Sequence, residues 1–235
     1  MRSFLGWLVL VAAFAAIAYV LAPVIARPLV ADAVRATSPF GSEPLDVDVD
    51  ADALGLLRGT ITSIHVTGTS LSATRLDVAR LDVTVREVGV IDRTFASLDG
   101  TLESVVLRRR DGAEMKAREV RLSGASDAVL ATARAGREAT LDLVGRALRG
   151  AGLPADGLEL IEGGVRMSLL GQQTDVALGA SDGALTIAGS IGGGGPIVVF
   201  GPEAGDPWRI TGVRVSADGL EVHAVIDLGA VLRGG

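Results

Sequence analysis

The chain has no cysteine. Disulfides, thiolate metal ligands and cysteine nucleophiles are therefore all excluded, while the redox state of the compartment stays open. Histidine is almost as scarce. His65 and His223 each stand alone in a strand-like stretch with no second ligand at metal spacing, so neither a metal nor a cofactor is expected. The aromatics are five Phe, two Trp and one Tyr, and Phe4, Trp7, Phe14 and Tyr19 all fall near the N-terminus. The remainder has few rings for base stacking, and a net charge of −6 opposes attraction to phosphate backbones. Nucleic acid is not an expected partner.

Aliphatic residues fill that space. No charge interrupts the run from Phe4 to Ala26. As a helix it spans about 35 Å, enough to cross a hydrocarbon core about 30 Å thick. Ala16-Ile17-Ala18 behind Arg2 also has the form of a cleavage site, so residues 1–27 read as a signal anchor or as a removed signal peptide. On either reading the rest is expected to be extracytoplasmic, anchored to the cytoplasmic membrane or secreted. Without cysteine, a lipoprotein anchor is ruled out.

Residues 28–235 contain no Pro-, Ser- or charge-rich linker and read as one domain. A short helical pattern over 28–36 leads in. Leu45, Val47 and Val49 then alternate with Asp46, Asp48 and Asp50, which predicts a strand with one dry face. Between Leu76-Asp77-Val78 and Leu81-Asp82-Val83 the apolar parity changes, implying a bulge or bend in a long strand or a tight turn between two. Asp99-Gly100, Asp111-Gly112, Asp182-Gly183 and Asp218-Gly219 read as hairpin turns. Val129, Leu130, Ala133, Leu141, Val144 and Leu148 recur at helical intervals. They predict a helix over Ser126–Arg149, ended by Gly150 and Gly152-Leu153-Pro154. Strands are predicted after it at Leu158–Leu170, Thr174–Leu178, Ala184–Ala188, Ile197–Phe200, Arg209–Val215 and Leu220–Leu228. The fold class is α+β, a long curved antiparallel sheet with one or two helices on one face.

Reactive motifs are weak. Gly179-Ala180-Ser181-Asp182-Gly183 matches a nucleophile elbow, but a strand pattern follows where that chemistry needs a helix. The glycines 192–195 lack a following Lys-Ser or Lys-Thr and read as a loop. Asp46, Asp48 and Asp50 imitate a calcium loop, yet Ala51 and Leu57 stand where it needs Gly and Glu. No enzyme is expected. Arg108, Arg109 and Arg110, with Lys116, Arg118 and Arg121 across a turn, are either a solvated hairpin or a site for anionic headgroups. Ile197-Val198-Val199-Phe200 is a buried strand or a membrane-touching tip.

Val47-Asp48-Val49, Arg58-Gly59-Thr60-Ile61, Ile64-His65-Val66-Thr67-Gly68, the two Leu-Asp-Val units with Val85 and Val88, and the late Gly219-Leu220-Glu221-Val222 together resemble the LmeA-like phospholipid-binding envelope proteins. That resemblance implies a tubular lipid-binding domain, in which a curved sheet wraps a helix around an apolar channel. It implies binding of phospholipid or another acyl lipid at the extracytoplasmic face, with lipid transfer in cell-envelope lipid or lipoglycan biogenesis. The expected aliphatic lining is Ile61, Ile64, Val66, Leu81, Val83, Val85, Leu141, Val144, Leu148, Ile197 and Val199, with Arg108, Arg109 and Arg110 at the headgroup. The alternative is a structural or adhesive envelope domain without ligand. A binding module should enclose a cavity on the order of several hundred Å³, and a structural domain should be packed throughout.

Overall fold

The computed structural model describes residues 40, 45–51, 55, 58–89, 94–169, 172–188 and 195–227. The expected anchor over 1–27, the lead-in helix over 28–36 and most of the glycine run 192–195 lie outside these residues.

Six antiparallel strands open the fold as a meander: β1 (Leu45–Asp50), β2 (Thr60–Ala73), β3 (Leu76–Gly89), β4 (Thr94–Arg108), β5 (Glu114–Ala125) and β6 (Ala128–Gly136). In β1 Leu45 and Val49 are buried while Asp46, Asp48 and Asp50 are exposed, as the alternation predicts. The parity change in β3 is a bend within one strand. Opposite Ala79 the register skips on both sides, and the flanking Ser70 and Ser104 take φ values of 56° and 50°. A second skip lies at Glu87, φ 51°. Such irregularities increase local twist and bend the strands, so the sheet curls instead of lying flat.

Two expectations fail here. Asp99-Gly100 is no turn, because β4 runs straight through it, with Gly100 paired to Val83 on one side and Leu122 on the other. A Cβ at Gly100 would lie 2.7 Å from Val83 Cγ2, so this glycine permits close strand packing. The helix expected over Ser126–Arg149 is half strand. Residues 128–136 form β6, hydrogen-bonded between two neighbours, and only Arg137–Gly150 form a helix, α1. Apolar residues three apart in β6 mimic a helical period, and Gly136, extended at φ −77° and ψ 169°, is the break between the two.

Thr140, fully buried, donates from Oγ1 to the Gly136 carbonyl at 2.9 Å. The C-terminus of α1 ends as the glycines predict. Gly152 sits at φ 75°, its N–H donates to Arg149 O, and Leu153 N–H donates to Leu148 O. This is a Schellman closure that satisfies the last carbonyls.

After α1 come β7 (Glu159–Ile161), β8 (Gly164–Leu169), β9 (Gln172–Ser181), β10 (Ala184–Ala188) and β11 (Ile197–Phe200), a five-stranded antiparallel sheet ordered β11-β10-β9-β8-β7. The single strand expected over Leu158–Leu170 is therefore a hairpin, turned at Glu162 and Gly163, the latter at φ 79°. Then β12 (Trp208–Ser216) and β13 (Gly219–Ile226) return to the first sheet, where β13 pairs with β6. The large sheet is ordered β1-β2-β3-β4-β5-β6-β13-β12. The Asp111-Gly112 and Asp182-Gly183 turns fall between strands as expected, whereas the turn before β13 is Ala217-Asp218 and Gly219 already pairs with Ser216.

The result is a β-rich α+β fold with two apolar cores. One lies along β1 to β6 with Ile226 of β13 and includes Ile64, Val66 and Leu98. The other gathers α1, the smaller sheet and β12–β13 around Leu148, Leu185, Ile187 and Phe200. Leu107, Ala133 and Trp208 touch both. Among the described residues no helix is long and apolar enough to cross a membrane.

Candidate functional site: an apolar cavity beside a charged clasp

A cavity of about 110 Å³ lies where the two cores meet, under β4, β5, β6, β13 and β12. Leu102, Val105, Leu107, Met115 and Ala117 form one wall. Ile210, Ile226 and Trp208 form another, and every lining residue is apolar or Trp. Its origin is a deficit of side-chain volume. Ala131 on β6 pairs with Ala224 on β13, and Ala133 next along β6 faces inward too, so small residues meet where Leu or Val would fill the space.

A small chamber of about 20 Å³, walled by both apolar and charged side chains, shares Leu107 and Trp208 with the cavity. Arg75, Arg108, Arg109, Phe200, Glu203 and Asp206 complete its lining. Three segments meet here: the β2–β3 turn, the β4–β5 turn and the β11–β12 loop. Glu203, on that loop, binds the other two. It accepts from Arg110 N–H at 2.9 Å and lies 3.3 Å from both Arg75 Nη1 and Arg110 Nε. Its own N–H donates to Asp206 Oδ2 at 2.8 Å, which shapes the loop. The Arg110 N–H holds the Glu203 carboxyl below its usual value against the opposing effect of desolvation, with Arg75 assisting. The clasp thereby fixes the loop entering β12 against the far end of the curled sheet. Trp208 stacks on Phe200 at a centroid distance of 6.1 Å.

The three consecutive arginines end up in different settings. Arg108 is held by Asp77 and by Glu114, the latter at 3.0 Å, and hydrogen bonding to Asp77 raises the guanidinium while lowering that carboxyl. Arg110 is half exposed and bonded to Glu203. Arg109 has Nη2 3.0 Å from Asp111 Oδ2, but its Nε is buried with no acceptor among the described residues. Each arginine of the triplet is thus held by a carboxylate, while Lys116 and Arg118 across the turn are exposed.

None of the aliphatic residues expected to line a lipid site borders the cavity. Ile61, Ile64, Val66, Leu81, Val83 and Val85 are buried in the first core, and Val144, Leu148 and Val199 in the second, with Leu141 packed against it. Alternation identifies the inward face, but not where along a curled face the packing is incomplete. β11 is neither wholly buried nor a bare tip: Phe200 is buried, Val198 is 54% exposed, and Ile197 and Val199 border a surface groove beside α1. Trp208, Arg75, Glu203 and the alanines were not read from the sequence. Their only signal there is the alternation Ala131, Ala133, Ala135 in a strand otherwise rich in larger residues.

The histidines lie on the outer, polar face. His65 on β2 is 2.9 Å from Asp82, and His223 on β13 is 3.2 Å from Glu221, with β3, β4, β5 and β6 between them. Ser181 Oγ donates to Asp182 in a hairpin turn, and β10 follows. Ser181 and the two histidines lie on three separate strands, and neither histidine is hydrogen-bonded to Ser181. No cluster of potential metal ligands occurs among the described residues.

No family model, curated protein or solved structure matches the chain.

Proposed function

We propose that the protein is a non-enzymatic lipid-binding module that works at the extracytoplasmic face of a membrane, holding an acyl chain in the cavity between its two cores. The observation that carries this reading is that cavity: about 110 Å³ with no charged, amide or hydroxyl side chain in its lining. On a scale where one water needs about 10–15 Å³, it has room for roughly half a dozen methylenes. These contribute on the order of 5 kcal/mol before entropy losses. The apolar run 4–26 and the LmeA-like sequence pattern point the same way. A chain held like this leaves slowly into water, so exchange needs contact with a bilayer, and an N-terminal anchor supplies that proximity. Transfer of lipid between the membrane and envelope enzymes is the role that follows.

The rival reading, a structural envelope domain, has one specific observation in its favour. The cavity is smaller than the several hundred Å³ that a whole phospholipid requires. Native mass spectrometry with lipid extraction separates the two readings. A lipid that co-purifies at defined stoichiometry supports binding; a chain that arrives empty and stays empty with mixed vesicles supports the structural role.

A further inference from the structure

We propose that the ligand of this cavity is an uncharged single-chain lipid whose polar end presents one acceptor oxygen, and that Arg109 donates to it. The chemical class is an acyl ester or a long-chain alcohol. The inference rests on the lipid-binding reading above and narrows its ligand.

Size is the first argument. The small chamber measures about 20 Å³, and one water needs about 10–15 Å³ of such space. A hydroxyl or ester carbonyl fits. A phosphodiester with its headgroup does not, and the apolar side has room for one chain segment instead of two.

Charge is the second. Arg75, Arg108 and Arg109 line the chamber and Arg110 follows them in the turn, but each already holds a carboxylate. Glu203 lines the chamber with Asp206 and holds Arg75 and Arg110, while Asp77, Asp111 and Glu114, which do not line it, hold Arg108 and Arg109. An anionic head therefore has to compete with a carboxylate already held at each guanidinium, whereas a neutral oxygen needs only an unpaired donor.

The third argument is the unmet donor. Arg108 spends its Nε on Glu114 and its Nη2 on Asp77, whereas Arg109 Nε is buried without an acceptor among the described residues. A buried donor left unpaired is unfavourable, and one neutral oxygen corrects it without adding charge.

The test uses the full chain with Trp7→Phe, which leaves Trp208 as its tryptophan, held in nanodiscs at pH 8. Trp208 lines both spaces, so bromine on a bound chain quenches its fluorescence. ω-Bromodecanol should quench at a concentration about tenfold lower than ω-bromodecanoate or ω-bromodecyl phosphate. Arg109→Met should remove the advantage of the alcohol over bromodecane and leave quenching by bromodecane itself unchanged. Glu203→Gln, which uncovers Arg75 and Arg110, should bring the two anions level with the alcohol. Anions that quench the Trp7→Phe chain as well as the alcohol does would overturn the proposal. So would an unchanged ratio of alcohol to bromodecane in a folded Arg109→Met protein. If no chain quenches, bromodecane included, the lipid-binding reading beneath it falls instead.

Discussion

Glu203 Oε2 lies 3.3 Å from Arg75 Nη1, across 128 positions of sequence, and this contact ties the loop before β12 to the β2–β3 turn. Both side chains are largely sheltered, and the same carboxylate takes the Arg110 N–H. The Glu203 carboxyl is held below its ordinary value. A group of that kind contributes stability above its unfolded value, about 4.3 for Glu, and loses it as pH falls through the lower folded value. Glu203→Gln is therefore expected to melt at a lower temperature than the native chain at pH 7. The gap should narrow steadily once the pH drops below about 4. Melting curves across that range check it, and a gap constant with pH would show that the clasp is not electrostatic.

The pair Ala131 and Ala224 explains why the cavity exists and gives a way to remove it. Ala131→Leu places three more carbons into space that is already empty and apolar. Filling a cavity commonly stabilises a protein by about 0.5–2 kcal/mol. The expected outcome is a chain at least as stable in urea as the native one that no longer takes up lipid from vesicles. Uptake that persists in the filled protein would place the ligand elsewhere.

The strand pattern was largely legible because it rests on local causes: alternation in β1, the parity change in β3, glycine turns at 112 and 183, and the glycines closing α1. What was not legible depends on distant pairing. Ala128–Gly136 carries apolar residues at spacings that suit a helix or a strand, and only its neighbours β5 and β13 decide between them. The site was hidden for the same reason. Whether Val83 seals a core or faces a space depends on how far the sheet curls, and Glu203 acquires its role from arginines more than ninety residues away.

Gly100 illustrates the same misreading and can be tested. Asp-Gly signals a turn in isolation, but here the glycine lies mid-strand, where a Cβ would come within 2.7 Å of Val83 Cγ2 and 3.0 Å of the Asp82 carbonyl. The backbone carbonyl has little freedom to yield. Gly100→Ala should cost about 1–3 kcal/mol, the range for overpacking a filled site. Urea denaturation reads this directly, and a neutral result would mean that β3 and β4 are not this close.

Leu130 and Leu148 separate the two accounts of the segment between Ser126 and Arg149. If one helix covered it, both would lie on the same apolar stripe and their truncation would cost similar amounts. In the structure Leu130 stands on the outer face of β6, 54% exposed, while Leu148 on α1 is completely buried in the second core. Leu148→Ala should therefore cost about 2–5 kcal/mol, and Leu130→Ala should stay within about 0.5 kcal/mol of the native chain. The comparison is made by urea unfolding, with the slope of each transition checked so that a change in the unfolded state is not mistaken for lost packing. Equal losses would restore the continuous helix. They would also remove β6 from beneath the cavity, and with it the paired alanines on which the ligand site depends.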